Sequence, residues 1–130
     1  MNELIQLTMP VDAAYVSAAR MTATSIANRM GFDINEIEDI KAAVSEACTL
    51  MIKHSAQNAQ GAFTIVFSIE KDLLNVTIDT ENVAQLRDSP EEMGLVMMKA
   101  LMDDLNVDRG KDGRLIVKMT KQRKLLDLEP

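Results

Sequence analysis

Few side chains in this 130-residue chain are of a type and spacing that does chemistry. Glu46 leads them. It sits in Val44-Ser45-Glu46-Ala47, and a carboxylate held among small apolar neighbours is a group suited to taking a proton from a nucleophile. The same carboxylate, partly exposed on a helix, would have no chemical use. Positions i and i+4 share a helix face, so Leu50 stands beside Glu46 and brings only aliphatic carbon there. Asp79 ends a strand-like run, a common turn use of Asp. Arg20 lies on a helical stretch, where its planar fork can anchor a partner's carboxylates or simply be solvated. Cys48 is the only cysteine and His54 the only histidine. No internal disulfide can form, and no Cys/His group has metal-site spacing. Cys48 reads as a small buried residue, and His54 as a helix-end residue whose imidazole suits the dipole.

The bulk composition narrows the classes. With 20 acidic against 14 basic residues the formal net charge is −6, a field that opposes nonspecific attraction to nucleic acid or an anionic membrane. The basic cluster Lys118, Lys121, Arg123 and Lys124 reads as a solvated strand end, not a DNA-binding arm. Three Phe and one Tyr leave the core to Ile, Leu, Val, Ala and the ten Met, with Met as filler of irregular gaps. No segment has the length and apolarity to span a bilayer, and no basic-then-apolar leader opens the chain. A reducing cytoplasm is the expected location. The length suits one domain over residues 1–130 with a single two-layer core.

Periodicity then supplies the elements that must position these groups. Residues 2–9 have strand character and stop at Pro10. A helix fits 11–30, with Tyr15, Ala18, Thr22, Ile26 and Met30 at helical spacing and Gly31 as its stop. Asp33 begins the next helix, with Glu36 as capping-box partner and Phe32 and Ile37 placed for a hydrophobic staple. Ile37, Ile40, Val44, Ala47 and Met51 form its stripe, and it should reach about Ser55. Two strands, Ala62–Glu70 and Leu73–Asp79, flank a tight Lys71-Asp72 hairpin. Residues 80–90 read as a loop. Glu91–Asp104 reads as a third helix carrying Met93, Val96, Met97, Ala100 and Leu101, followed by strands at about 105–109 and 114–121. Residues 122–130 read as a C-terminal tail whose Leu125, Leu126 and Leu128 pack on the body or on a partner. The order β-αα-ββ-α-ββ gives an α+β fold, with helices on one face of a sheet.

The stretch Ile37-Glu38-Asp39-Ile40-Lys41-Ala42-Ala43-Val44-Ser45-Glu46-Ala47, followed by Thr49 and Lys53-His54, resembles the N-box helix of the bacterial anti-sigma-factor serine kinases, members of the histidine-kinase-like (GHKL) ATPase superfamily. Ala19-Arg20-Met21-Thr22 resembles that family's first-helix motif. Met93-Gly94-Leu95 with Lys99-Ala100-Leu101-Met102-Asp103 is similar to its second glycine box and following helix, and Lys118-Met119-Thr120-Lys121 to its last strand. The matches run over nearly the whole chain in order, which is far more specific than any one box. They imply a two-layer α/β sandwich of the Bergerat type, with a mixed, mostly antiparallel sheet.

The resemblance also implies roles. Glu46 matches the family's catalytic carboxylate, and Leu50 occupies the place of the Asn that holds Mg²⁺. Mg²⁺ demands oxygen ligands, so this replacement speaks against phosphoryl transfer. Asp79 matches the Asp that reads the adenine amine, but Glu81 stands where a Gly follows. Gly94 survives from the second glycine box, with Glu92 in place of its preceding Gly. Glu91 and Glu92 would compete with a phosphate for the helix N-terminus. Ile116 replaces a Thr near the base, and the Asp79–Gly94 connection is short beside the family's lid. Arg20 matches an Arg that contacts partners.

Three functions follow as expectations. The first is a partner-switching regulator that binds a sigma factor or an anti-anti-sigma (STAS) protein, or both in turn, with no cofactor and no metal. Its nucleotide site is that of a degenerate serine/threonine protein kinase. The second is a working serine kinase that binds Mg-ATP and uses Glu46, Asp79 and Gly94. The third is a ligand sensor or structural subunit that only shares the fold. An exposed N-terminal edge strand also suggests a homodimer.

Overall fold

The computed structural model describes residues 2–53, 61–80, 93–109 and 115–124. Strand β1 (Glu3–Pro10) leads through a single 3-10 turn, Ala13–Tyr15, into α1 (Val16–Met30) and α2 (Ile34–Lys53). The hairpin of β2 (Ala62–Glu70) and β3 (Leu73–Thr80) follows, then α3 (Met93–Leu101), β4 (Asp104–Arg109) and β5 (Leu115–Gln122). The sheet order is β1-β2-β3-β5-β4. Every neighbouring pair is antiparallel, so the expected mixed sheet is wholly antiparallel among the described strands.

Alternation along the central strands defines the two faces. Phe63, Ile65 and Phe67 of β2, Leu74, Val76 and Ile78 of β3, and Leu115, Val117 and Met119 of β5 are buried on one side. The helices cover that side, with α1 packed on α2 and α2 touching α3, β3 and β5. Met9, Met51, Met98, Met102 and Met119 are core residues, which agrees with methionine as filler. Met21, 72% exposed, and Met97, 37% exposed, are not.

Local signals mostly hold. Gly31 adopts φ 89°, a left-handed conformation that costs glycine little, and its N–H meets the carbonyls of Ala27 and Asn28 to end α1. The capping box forms: the Glu36 N–H donates to Asp33 Oδ1 at 2.7 Å, and the Asp33 N–H to Glu36 Oε1 at 2.9 Å. Phe32 is buried at the staple position. Lys71 and Asp72 make the two-residue turn, with Lys71 at φ 52°.

Two helical stripes are phased differently from the reading above. In α1 the buried line is Ala19, Ala23, Ile26 and Ala27, while Tyr15 is 46% exposed. Small side chains there let α1 approach α2, so alanine and not the larger residues marks the packed face. In α3 the core residue is Met98, and Val96 (63% exposed) and Met97 (37% exposed) face outward. The chain leaves α3 at Met102 and enters β4 at Asp104, which fixes the helix's rotation.

The basic C-terminal cluster is not a uniformly solvated strand end. Lys121 is 8% exposed and donates from Nζ to the Leu101 carbonyl at 2.6 Å, with Asp39 Oδ2 3.6 Å away. It thereby satisfies a C-terminal carbonyl of α3. Arg123 pairs with Asp72 at the hairpin, and its N–H donates to the Asp72 carbonyl at 2.7 Å. The Lys124 N–H donates to Glu36 Oε2 at 3.0 Å. The tail therefore starts out firmly held through Lys124; residues 125–130 lie outside the described residues.

Cys48 is fully buried in α2, and burial pushes its thiol from 9.0 up to about 12. Folding keeps this proton, so stability is unaffected below pH 9 and falls as pH climbs from 9 towards 12. Maleimide or disulfide reagents should leave the native thiol unmodified at pH 8 and label it fully in denaturant, as read by mass spectrometry.

Candidate functional site

Glu46 projects from the middle of α2, half-buried, towards the start of α3. A Cβ built on Gly94 would lie 3.1 Å from Glu46 Oε2. The two residues that the resemblance singled out are thus in contact. Glycine is what allows the approach, since a methyl group there would press on the carboxylate. The first turn of a helix carries unsatisfied amides and partial positive charge. Glu46 presents its own negative charge to that end of α3.

Leu50, one turn further along α2, is 2% exposed and belongs to the hydrophobic core. Glu46 and Leu50 share a helix side, yet only Glu46 emerges from the packing. The position expected for a metal ligand is occupied by buried aliphatic carbon.

The strand residues fall elsewhere. Asp79 pairs in register with Thr64 of β2 and Ile116 of β5. These three positions alternate with the buried Ile78, Thr80, Leu115 and Val117, so they lie on the sheet face away from the helices. Asp79 and Ile116 are brought together with each other, but not with Glu46, Leu50 and Gly94. The helix-facing residue at the end of β3 is Thr80, which is 1% exposed and set between Phe63 and Leu115 in register. Among the described residues its hydroxyl has no hydrogen-bond partner. Period two signals this residue: counting from Leu74 through Val76 and Ile78 leads to Thr80, not Asp79. Glu81, Glu92 and His54 lie outside the described residues.

Arg20 is exposed on α1. It lines a groove of about 650 Å³ between α1 and α2, with Met21, Thr24, Asn28, Ile37 and Lys41 among its neighbours. The Lys41 ammonium is paired with Glu38 at 3.1 Å, so among the described residues that line the groove Arg20 is the cation left to offer a partner. An arginine beside exposed apolar carbon is a combination enriched at protein-binding surfaces.

Comparison with known proteins places this geometry. The family described as histidine kinase-like ATPase domain matches residues 9–121. A serine-protein kinase RsbW of Bacillus cereus (strain ATCC 10987 / NRS 248) is 34% identical over 137 aligned positions, covering 92% of this chain and 84% of the relative. The serine-protein kinase RsbW of Bacillus mycoides (strain KBAB4) is 33% identical over the same coverage. Among solved structures, the RsbU and RsbW domains of Rv1364c from Mycobacterium tuberculosis superpose with a TM-score of 0.76 at 17% identity. That match covers 93% of this chain and 32% of the other, a likeness of fold. Matched from the end of β1 to β5, and sharing a third of its residues with such kinases along most of its length, the chain belongs to the histidine kinase-like ATPase family, in the branch of the RsbW serine-protein kinases.

Proposed function

We propose that this protein is an anti-sigma-type regulator that acts by holding one protein partner or another, a sigma factor or an anti-anti-sigma protein, without Mg-ATP chemistry. The observation that carries this reading is Leu50. Mg²⁺ takes oxygen ligands in near-octahedral geometry, and a leucine 2% exposed in the core supplies none. Rotating the side chain brings no oxygen to the place. The expected base-contact positions, Asp79 and Ile116, face away from the helix layer that holds Glu46. The residues present therefore do not fit a metal–triphosphate in the manner of the family, and no phosphoryl transfer is routed through them. Glu46 instead lies against the start of α3 at Gly94.

Partner holding needs a surface and not a reactive centre, and the Arg20 groove supports one. Arginine contributes strongly to interfaces because its fork pairs in two places with a carboxylate. A second copy is the further partner in this reading. β1 is an edge strand with Leu4 68% exposed and Ile5 39% exposed, and the only charge along it is Glu3 at its start. Natural edges that avoid pairing carry charges or bulges. Sedimentation equilibrium should give twice 14.4 kDa, and a concentration-independent monomer mass would remove the dimer.

The regulator reading is tested with the sigma factor and STAS protein encoded in the same genome. A complex with at least one should form in EDTA without nucleotide. Arg20→Ala should weaken it about tenfold or more, the loss expected of an interface anchor, while leaving the melting temperature unchanged. A complex that forms only with Mg-ATP, or phosphoserine appearing on the STAS protein, would instead favour the working kinase.

A further inference from the structure

The atoms of this chain most readily oxidised by peroxide are the sulfurs of ten Met and one Cys, and burial sorts them. Cys48 is fully buried, and burial holds its thiol protonated, so the thiolate that reacts with oxidants is scarce at neutral pH. Met9, Met51, Met98, Met102 and Met119 are core residues, none more than 5% exposed. An oxidant in water does not reach them while the fold holds. Met30 is half-buried, and Met97 is partly exposed on α3. Among the methionines whose burial is described, Met21 stands furthest out, at 72%.

The place of Met21 gives that exposure a consequence. It follows Arg20 on α1 and lines the same groove, as does Ile37 of α2. Lys, Gln and Glu form helix as well as Met does and would suit a solvated face. Met instead sets a flexible, polarisable thioether beside the arginine, a side chain that repacks against partners of different shape. A protein that holds first one partner and then another needs such a contact. The same thioether is open to oxidation. As the sulfoxide it becomes polar and disrupts apolar contacts, and methionine sulfoxide reductases reverse the change.

We propose that Met21 is a modification site, at which oxidation by hydrogen peroxide releases the partner held in the Arg20 groove. A lone pair on Met21 Sδ attacks one peroxide oxygen and the O–O bond breaks. The hydroxide released takes the proton from the oxygen left on sulfur, giving sulfoxide and water. Sulfur is oxidised by two electrons, and the peroxide is reduced by the same two. The new oxygen must then be desolvated for the partner to close over it, while Arg20 keeps its charge. The inference rests on the proposed function for what the groove holds, and adds how that holding is regulated.

The experiment treats the full chain with hydrogen peroxide, removes the excess with catalase, and maps the peptides by mass spectrometry. The oxidised protein is then titrated in EDTA against untreated sigma factor or STAS protein. Met21 should gain one oxygen before any core methionine does. The complex should weaken about tenfold, the order of one lost interface contact, at an unchanged melting temperature, and methionine sulfoxide reductase with dithiothreitol should restore it. Met21→Leu, whatever affinity it starts from, should lose none of it to peroxide. Met21→Gln, polar and of similar length, should bind about tenfold more weakly with no oxidant present. Core methionines oxidised as fast as Met21, a loss that persists in Met21→Leu, or full affinity in Met21→Gln would overturn the inference. A complex that peroxide leaves intact sinks the switch alone, whereas no complex before oxidation sinks the regulator reading and the switch with it.

Discussion

The rotation of α2 about its own axis governs what this molecule can do. Ile40, Val44, Ala47 and Met51 must face the sheet, because they are the apolar side chains that bury it. That rotation carries Leu50 inward with them, to 2% exposure, and leaves Glu46 half emerged at the start of α3. Burying a leucine fully is worth roughly 1.5–3 kcal/mol, so Leu50 contributes to stability. An asparagine there would have to find hydrogen-bond partners in the same packed layer or leave a costly unpaired amide.

The lower part of α2 is anchored as firmly by polar contacts. Glu36 is 4% exposed, and its carboxylate accepts from the Asp33 N–H and from the Lys124 N–H. One side chain thus caps α2 and holds the chain as it leaves β5. Arg123 ties the same segment to the β2–β3 hairpin through Asp72. With α2 tied to the sheet in this way, α1 is free to present Arg20 and Met21 outward over the groove it shares with α2. In the proposed reading that groove, lined by Arg20 and Met21, is where a partner sits.

Much of this was legible in the residues. The Asp33–Glu36 box, the Gly31 stop and the Lys71-Asp72 turn are local, short-range signals, and each was found at the position read. The element order followed, and with it the α+β class. What failed was phase. The α1 stripe was read from its larger residues, whereas close helix contact selects Ala19, Ala23 and Ala27. The rotation of α3 depends on where β4 begins, which is a tertiary fact. Lys121 looked like one more solvated charge because its partner, the Leu101 carbonyl, is 20 residues away. At the site, Glu46 and Gly94, each named by resemblance, lie against one another, whereas Asp79 alternates onto the sheet face away from the helices. A one-residue step along a strand exchanges its faces, so a motif position does not by itself say which side of the sheet a residue faces.

The metal position is tested most directly with Mn²⁺ in place of Mg²⁺, by electron paramagnetic resonance with ADP and the unaltered protein. A core leucine at that position predicts that adding protein leaves the Mn²⁺–ADP spectrum unchanged at all ratios. A new protein-bound Mn²⁺ signal that saturates at one ion per chain would contradict it.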